Sequence, residues 1–233
     1  MLYDVAKPPV RLLLRTIWNP RLRGAENLPE QGPVILASNH LAVADTYFLP
    51  AQLPRRVHFL GKSDLFRSGS PLNTVLARIM RGLAVMPVDR SGGSASQSAI
   101  DAGMEVLEGG HVLGIYPEGT RSPDGRLHRG RTGVARLALA TGAPIIPVAM
   151  LGTREAQGSR TLIPHRRPRI QAVLGAPIDA AAIAAALPDG SEATVFRHLT
   201  DHVMDRIAEL SGQERVDEYA SVVKARLRGE RTR

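Results

Sequence analysis

The chain has 233 residues, 43% hydrophobic and 22% charged, which suits one α/β domain with a full core rather than two small ones. Cysteine is absent, which excludes disulfides, thiolate catalysis and thiolate zinc sites. The formal net charge of +8 is carried almost wholly by arginine, with lysine only at Lys7, Lys62 and Lys224; it points to an anionic partner such as a phospholipid surface, a phosphorylated substrate, an acidic carrier protein or nucleic acid.

No repeat of fixed period is visible, and no window holds 18 uninterrupted apolar residues, so no transmembrane helix is expected. Residues 1–20 read as one unit. Pro8-Pro9 opens a helix and Asn19-Pro20 ends it. Val10, Leu14, Ile17 and Trp18 fall on one face, widened by Leu12 and Leu13, while Lys7, Arg11 and Arg15 recur every four residues on another. These cations also argue against a secretory signal. The pattern suits an amphipathic helix lying on an anionic membrane; a helix packed across the domain with a solvated basic face is the other reading.

Arg21 to Gln31 is turn-rich and polar. Val34-Ile35-Leu36-Ala37 then reads as a buried strand that runs into Ser38-Asn39-His40, with a helix from Asp45 to about Gln52. Val57–Leu60 is a second strand, residues 72–81 a helix, and Leu83–Val88 a third strand leaving Asp89-Arg90 at its end. Ser94-x-x-Gln97 resembles a capping box before the apolar stripe Ile100, Met104, Leu107. Val112–Tyr116 is a fourth strand, residues 133–141 a helix stopped by Gly142, Pro144–Met150 a fifth strand and Arg169–Leu174 a sixth. Residues 152–168 read as a basic loop, 179–187 and 191–211 as helices, and Arg226–Arg233 as a frayed charged end. Alternating strands and helices imply a single α/β domain with a mainly parallel or mixed central sheet flanked by helices.

Four strands deliver polar residues at their exits: His40 with Asp45, Lys62, Asp89-Arg90, and Glu118 to Ser122. In open α/β sheets such exits are where separate segments converge on ligands. A carboxylate on one ring nitrogen of His40 would leave the other free to take a proton from a hydroxyl. Lys62, Arg90 and Arg121 together suit a dianionic phosphate. Glu118 is either an acceptor ligand or an ion-pair partner that orients Arg121, and the orienting role is the preferred reading. His198 and His202 lack the glutamate of a zinc-hydrolase helix, and no Walker A loop, dinucleotide fingerprint or nucleophile elbow is present. No metal site is expected. Aromatic residues make up only 4% and do not interleave with the arginines, so a nucleic-acid stacking platform is not expected.

Assembled, these segments resemble the glycerolipid acyltransferase family, typified by bacterial 1-acyl-glycerol-3-phosphate acyltransferases. The resemblance rests on four blocks in order: Asn39-His40 with Asp45, Gly82 through Asp89-Arg90, Tyr116 through Ser122 (Tyr-Pro-Glu-Gly-Thr-Arg-Ser), and Ala143 through Val148. It implies transfer of a fatty acyl group from acyl-CoA or acyl-carrier protein, the co-substrate, to lysophosphatidic acid, giving phosphatidic acid, with no further cofactor. Glycerol-3-phosphate or another lysophospholipid or glycolipid is the alternative acceptor, and a lipid- or phosphate-binding module the alternative class. In family terms His40 is the general base and Asp45 its orienting carboxylate. Lys62, Arg90 and Arg121 hold the acceptor phosphate, Glu118, Gly119, Thr120 and Ser122 shape that pocket, and Ile146 and Pro147 lie near the acyl site. The family core would span residues 34–150 of an acyltransferase domain over 21–233. The expected location is peripheral, on the cytoplasmic face of the membrane. Two departures from the usual pattern stand out: Leu41-Ala42 replace polar residues after the histidine, and Pro87-Val88 replace Phe-Ile.

Overall fold

The computed structural model describes residues 2–62, 85–88, 95–157, 164–187 and 190–230, with the side chains of 2, 62, 85–88, 95 and 96 excepted. In chain order the elements are α1 (Leu2–Trp18), β1 (Arg21–Arg23), a 3-10 turn (Ala25–Asn27), β2 (Val34–Ser38), α2 (Asp45–Gln52), β3 (Val57–Lys62) and β4 (Val85–Val88). There follow α3 (Ala95–Glu108), β5 (Val112–Ile115), β6 (Leu127–His128), α4 (Gly133–Thr141), β7 (Ile145–Leu151), α5 (Thr153–Gln157) and β8 (Gln171–Leu174). The chain closes with α6 (Ala180–Ala185), α7 (Glu192–Ser211), β9 (Arg215–Val216) and α8 (Ala220–Glu230).

Seven strands form one mixed sheet in the order β1-β8-β7-β2-β5-β3-β4. From β7 to β4 every pairing is parallel; β8 runs antiparallel to β7, and β1 parallel to β8. All five residues of β2 are buried, as expected for a central strand covered on both faces. Alternate residues feed two cores. Val34 and Leu36 join Phe48, Leu49 and Leu53 of the α2 segment, whereas Ile35 and Ala37 join Leu107, Leu137 and Val203 of α3, α4 and α7. The carboxyl ends of β2, β3, β4, β5 and β7 all emerge at one edge of the sheet, which gathers the polar exits there.

Several helix ends follow their local chemistry. Gly142 and Gly212 stop α4 and α7 in left-handed conformation with N–H bonds to Ala138 O and Ala208 O, and the Ser191 hydroxyl caps α7 by accepting from Thr194 N.

The structure corrects the sequence reading in four places. Pro8-Pro9 does not open α1 but lies inside it. The backbone bonds these prolines cannot make are offset by tertiary anchors: Lys7 Nζ donates to Pro54 O and Arg55 O, and Tyr3 Oη accepts from Val57 N. Arg21–Arg23, read as turn, is an edge strand held in register by Gln171–Val173. Thr153–Gln157 is a short helix rather than loop. The stretch from Arg226, expected to fray, continues α8 to Glu230, with the Arg226 guanidinium paired to Glu218. The helix read over 72–81, Ser94 and Asp89-Arg90 lie outside the described residues.

The α1 helix packs on α2. Tyr3 and Leu14 are buried and Trp18 Nε1 donates to Pro164 O, whereas Val5, Leu12 and Leu13 are 73%, 64% and 53% exposed. Among the described residues no helix is long and apolar enough to cross a membrane.

Candidate active site

β2 ends at Ser38, and the next residue locks the strand exit. Asn39, fully buried, donates from Nδ2 to Met150 O (3.1 Å) and accepts at Oδ1 from Met150 N (2.7 Å), so its amide extends the β2–β7 ladder by one side-chain rung. The chain then turns outward at His40. Five residues on, α2 begins with Asp45, whose Oδ2 lies 3.0 Å from His40 Nδ1 and accepts from Leu41 N (2.7 Å) and Ala42 N (2.9 Å). Asp45 is fully buried while the imidazole is 15% exposed. Two backbone N–H groups and the imidazole thus converge on one carboxylate oxygen, which fixes the carboxylate against the ring. It sets the Nδ1–H tautomer of His40, and Nε2 has no protein partner among the described residues.

An aromatic stack supports the imidazole. The Tyr116 ring lies parallel to it, with centroids 3.9 Å apart, and Phe59 stacks behind Tyr116 at 5.7 Å. Phe59 reaches that place because Gly114 has no side chain: a Cβ there would come within 2.4 Å of the Phe59 ring. Among the described residues neither the buried Tyr116 hydroxyl nor Asp45 Oδ1 has a hydrogen-bond partner. Burial, then the Asp45 charge, raises the Tyr116 phenol well above its usual range.

The Pro117–Ser122 turn clamps His40 from both sides. Glu118 Oε2 accepts from His40 N (3.3 Å), and Ser122 N donates to His40 O (2.8 Å). Glu118 Oε1 accepts from His128 N (3.0 Å). The sequence reading paired Glu118 with Arg121; the buried carboxylate instead turns inward and serves two backbone N–H groups. Burial pushes its carboxyl up to about 7, opposed by those two N–H bonds and reinforced by Asp124 and Asp45. Gly119 takes φ 73°, the left-handed conformation that lets the turn reverse. Thr120 Oγ1 accepts from Lys224 Nζ (3.2 Å), and Arg121 is exposed at the tip. The Ser122 hydroxyl bonds within the loop, donating to Arg126 O and accepting from Gly125 N.

The remaining expected residues do not all converge there. The backbone of Lys62 is at the carboxyl end of β3, in register with Val88; its side chain and all of Arg90 lie outside the described parts. Ile146 and Pro147 are buried mid-strand in β7, opposite Leu36 and Ala37.

Several supporting residues escaped the sequence reading. Gln213, just past the Gly212 stop, accepts from Asn39 Nδ2 (2.6 Å) and donates to Gly125 O (2.6 Å), tying the β2 exit to the 122–126 loop. Gln157 Oε1 accepts from Ala44 N. His128 is fully buried between two acceptors, Asp124 Oδ1 (3.0 Å) and Glu218 O (3.2 Å). Burial would raise the Asp124 carboxyl, but bonds from Arg126 and His128 hold it well below the usual range. The Pro117 partner Arg131 and the β6–β9 pair were equally silent in the sequence.

Two cavities flank this edge. A polar one of about 370 Å³ is lined by Leu41, Asp124, Arg126, Arg154 and Gln213 among others. An apolar groove of about 750 Å³ runs between α1 and α2 over Val10, Leu13, Ile17, Trp18, Tyr47 and Pro164.

The fold is one already seen in a solved acyltransferase structure. It matches the crystal structure of the 1-acyl-sn-glycerophosphate (LPA) acyltransferase PlsC of Thermotoga maritima with a TM-score of 0.60 over 89% of this chain and 82% of that chain, at 22% identity. Residues 19–151, more than half of the chain, match the Acyltransferase family model, and the chain belongs to that family. Named relatives include the chloroplastic 1-acyl-sn-glycerol-3-phosphate acyltransferase of Brassica napus, 28% identical over 71% of this chain and 47% of the relative. The Bacillus subtilis 1-acyl-sn-glycerol-3-phosphate acyltransferase is 28% identical over 65% of this chain and 72% of that protein. The chain thus spans about half the length of its plant relative.

Proposed function

We propose that the protein transfers a fatty acyl group from a thioester, acyl-CoA or acyl-carrier protein, to the free hydroxyl of lysophosphatidic acid, giving phosphatidic acid. The observation that carries the reading is the His40–Asp45 pair at the carboxyl edge of the sheet, clamped by the Glu-Gly-Thr-Arg-Ser turn inside the matched family segment. The names of the relatives supply the acceptor class.

An alcohol is a poor nucleophile near neutral pH, so its proton must leave as it attacks. His40 Nε2 takes that proton while the alcohol oxygen adds to the thioester carbonyl. Asp45 stabilises the imidazolium through Nδ1–H. Collapse of the tetrahedral intermediate breaks the C–S bond, and His40 returns the proton to the departing thiolate. The thioester brings its own activation, so the scheme uses neither metal nor cofactor. Arg121, with Lys62 and Arg90, holds the acceptor phosphate, and Thr120 and Gly119 shape its pocket.

The exposed apolar face of α1, the flanking Lys7, Arg11 and Arg15, and Val43 (44% exposed) in the His40 loop favour peripheral attachment to an anionic membrane on its cytoplasmic side. The α1–α2 groove suits an alkyl chain entering from that surface.

The test is an acyl-transfer assay with oleoyl-CoA or oleoyl-acyl-carrier protein and lysophosphatidic acid, comparing the native protein with His40→Ala. The native chain should form phosphatidic acid, and the variant should lose about a thousandfold or more in kcat while keeping its fold. Near-native turnover by the variant refutes the base assignment; no turnover by the native protein on any glycerophosphate acceptor refutes the reaction.

A further inference from the structure

The α8 helix lies outside the matched family segment, yet it is built onto the Pro117–Ser122 turn. Ala220 and Val223 are buried beneath it. Tyr219, just before the helix, stacks under two guanidinium groups, Arg129 at 5.5 Å and Arg131 at 5.2 Å. Arg131 connects the two segments: its N–H donates to Pro117 O (2.8 Å), its Nη2 to Ser221 Oγ (3.3 Å), and its side chain fills the space a Cβ on Gly119 would take. One turn further along α8, Lys224 Nζ reaches Thr120 Oγ1 at 3.2 Å.

Charge pairing sets Lys224 apart from its neighbours. Arg129 pairs with Asp217 and Arg226 with Glu218. Among the described residues no carboxylate comes within ion-pair distance of Lys224 or Arg121. Thr120 accepts the lysine proton and keeps its own hydroxyl proton to donate. The ammonium, the hydroxyl and the Arg121 guanidinium are thus donors carried by this turn and the helix packed on it, and none is committed to a carboxylate among the described residues.

We infer that Lys224 joins Arg121 and Thr120 in holding the phosphomonoester of the acceptor, as a specificity-determining residue supplied by the C-terminal helix. The identity of that phosphate rests on the acyl-transfer reading above. The turn that carries Thr120 and Arg121 also clamps His40 through Glu118 and Ser122, so an anion held at its tip stands close to the base and can present an adjacent hydroxyl. Burial, followed by the charges of Arg121 and Arg228, lowers the Lys224 ammonium pKa, so the guanidinium of Arg121 and the ammonium act on one another across the turn.

The experiment compares the native protein with Lys224→Gln and Lys224→Arg in two measurements. In acyl transfer, Lys224→Gln should raise the KM for lysophosphatidic acid by about ten- to a hundredfold, the worth of one charge-assisted contact. It should leave monoacylglycerol turnover and the acyl-CoA KM within about twofold, and Lys224→Arg should restore most of the loss. In direct titration with glycerol 3-phosphate and with inorganic phosphate, Lys224→Gln should weaken both by a similar factor. A KM rise confined to acyl-CoA places the lysine on the donor's phosphates and overturns the assignment. So does equal loss on phosphorylated and neutral acceptors, or unchanged phosphate binding. If the native chain transfers no acyl group yet Lys224→Gln still weakens phosphate binding, the reaction is wrong and the anion site stands.

Discussion

Glu118 offers a test that separates its electrostatics from its hydrogen bonds. Its carboxyl is buried and titrates at about 7, against 4.5 when exposed. Between these values the folded protein keeps a proton that the unfolded chain has released, so folding stability must fall as pH rises through this window. The full shift corresponds to about 3 kcal/mol at about 1.4 kcal/mol per pH unit, of which roughly 2.5 accrues between about pH 5 and pH 8. Glu118→Gln removes the titration while keeping shape. Its amide oxygen can still accept from one of the two N–H groups, but its NH₂ must face the other donor, at a cost of about 1–3 kcal/mol that does not vary with pH. Urea unfolding of both proteins at the two pH values isolates the linkage, because every other titrating group cancels in the difference. The native protein's advantage over Glu118→Gln should shrink by roughly 2–3 kcal/mol from about pH 5 to pH 8. A difference that stays flat across this range refutes the assignment of a neutral, buried Glu118 below pH 7.

Two further outcomes follow from the site and from α1. Asp45→Asn leaves a neutral partner for the imidazolium and frees the His40 tautomer, so kcat should fall by about three orders of magnitude or more with the lysophosphatidic acid KM little changed; a loss in KM alone would point to a binding role for the pair. Replacing both Leu12 and Leu13 by Ser, at positions 64% and 53% exposed, should leave the unfolding midpoint unchanged and lower partitioning onto anionic liposomes by about tenfold or more. Equal co-sedimentation of variant and native protein removes α1 from the membrane contact.

The elements legible in the sequence are those whose signal is local. The apolar run Val34–Ala37 is a fully buried central strand, and Gly142 marks a helix end within a residue. In the edge strand Arg21–Arg23 both arginines face solvent and only Leu22 is partly covered, so its pairing with β8 left no pattern to read. The two-residue β6 and β9 exist only through a contact between segments far apart in the chain. In the site, His40 and Asp45 were legible because side-chain chemistry at short spacing carries them. The partners of Glu118 are backbone N–H groups, which leave no residue-type trace, and Gln213 lies 174 residues from Asn39, beyond any local window.

The His40–Asp45 loop has a consequence for which sequences can hold this site. Of the three bonds at Asp45 Oδ2, two come from the main chain of Leu41 and Ala42 and none from their side chains. Side-chain identity at 41 is thus free to vary without disturbing the carboxylate. At 42 burial admits only a small residue, and proline is excluded at both because its nitrogen has no hydrogen to give. Loop length has no such latitude, since one inserted residue would carry Asp45 away from the imidazole while α2 stayed packed. Leu41 and Ala42 therefore leave the His40–Asp45 pair intact, and the side chain of Leu41 instead shapes the wall of the neighbouring polar cavity.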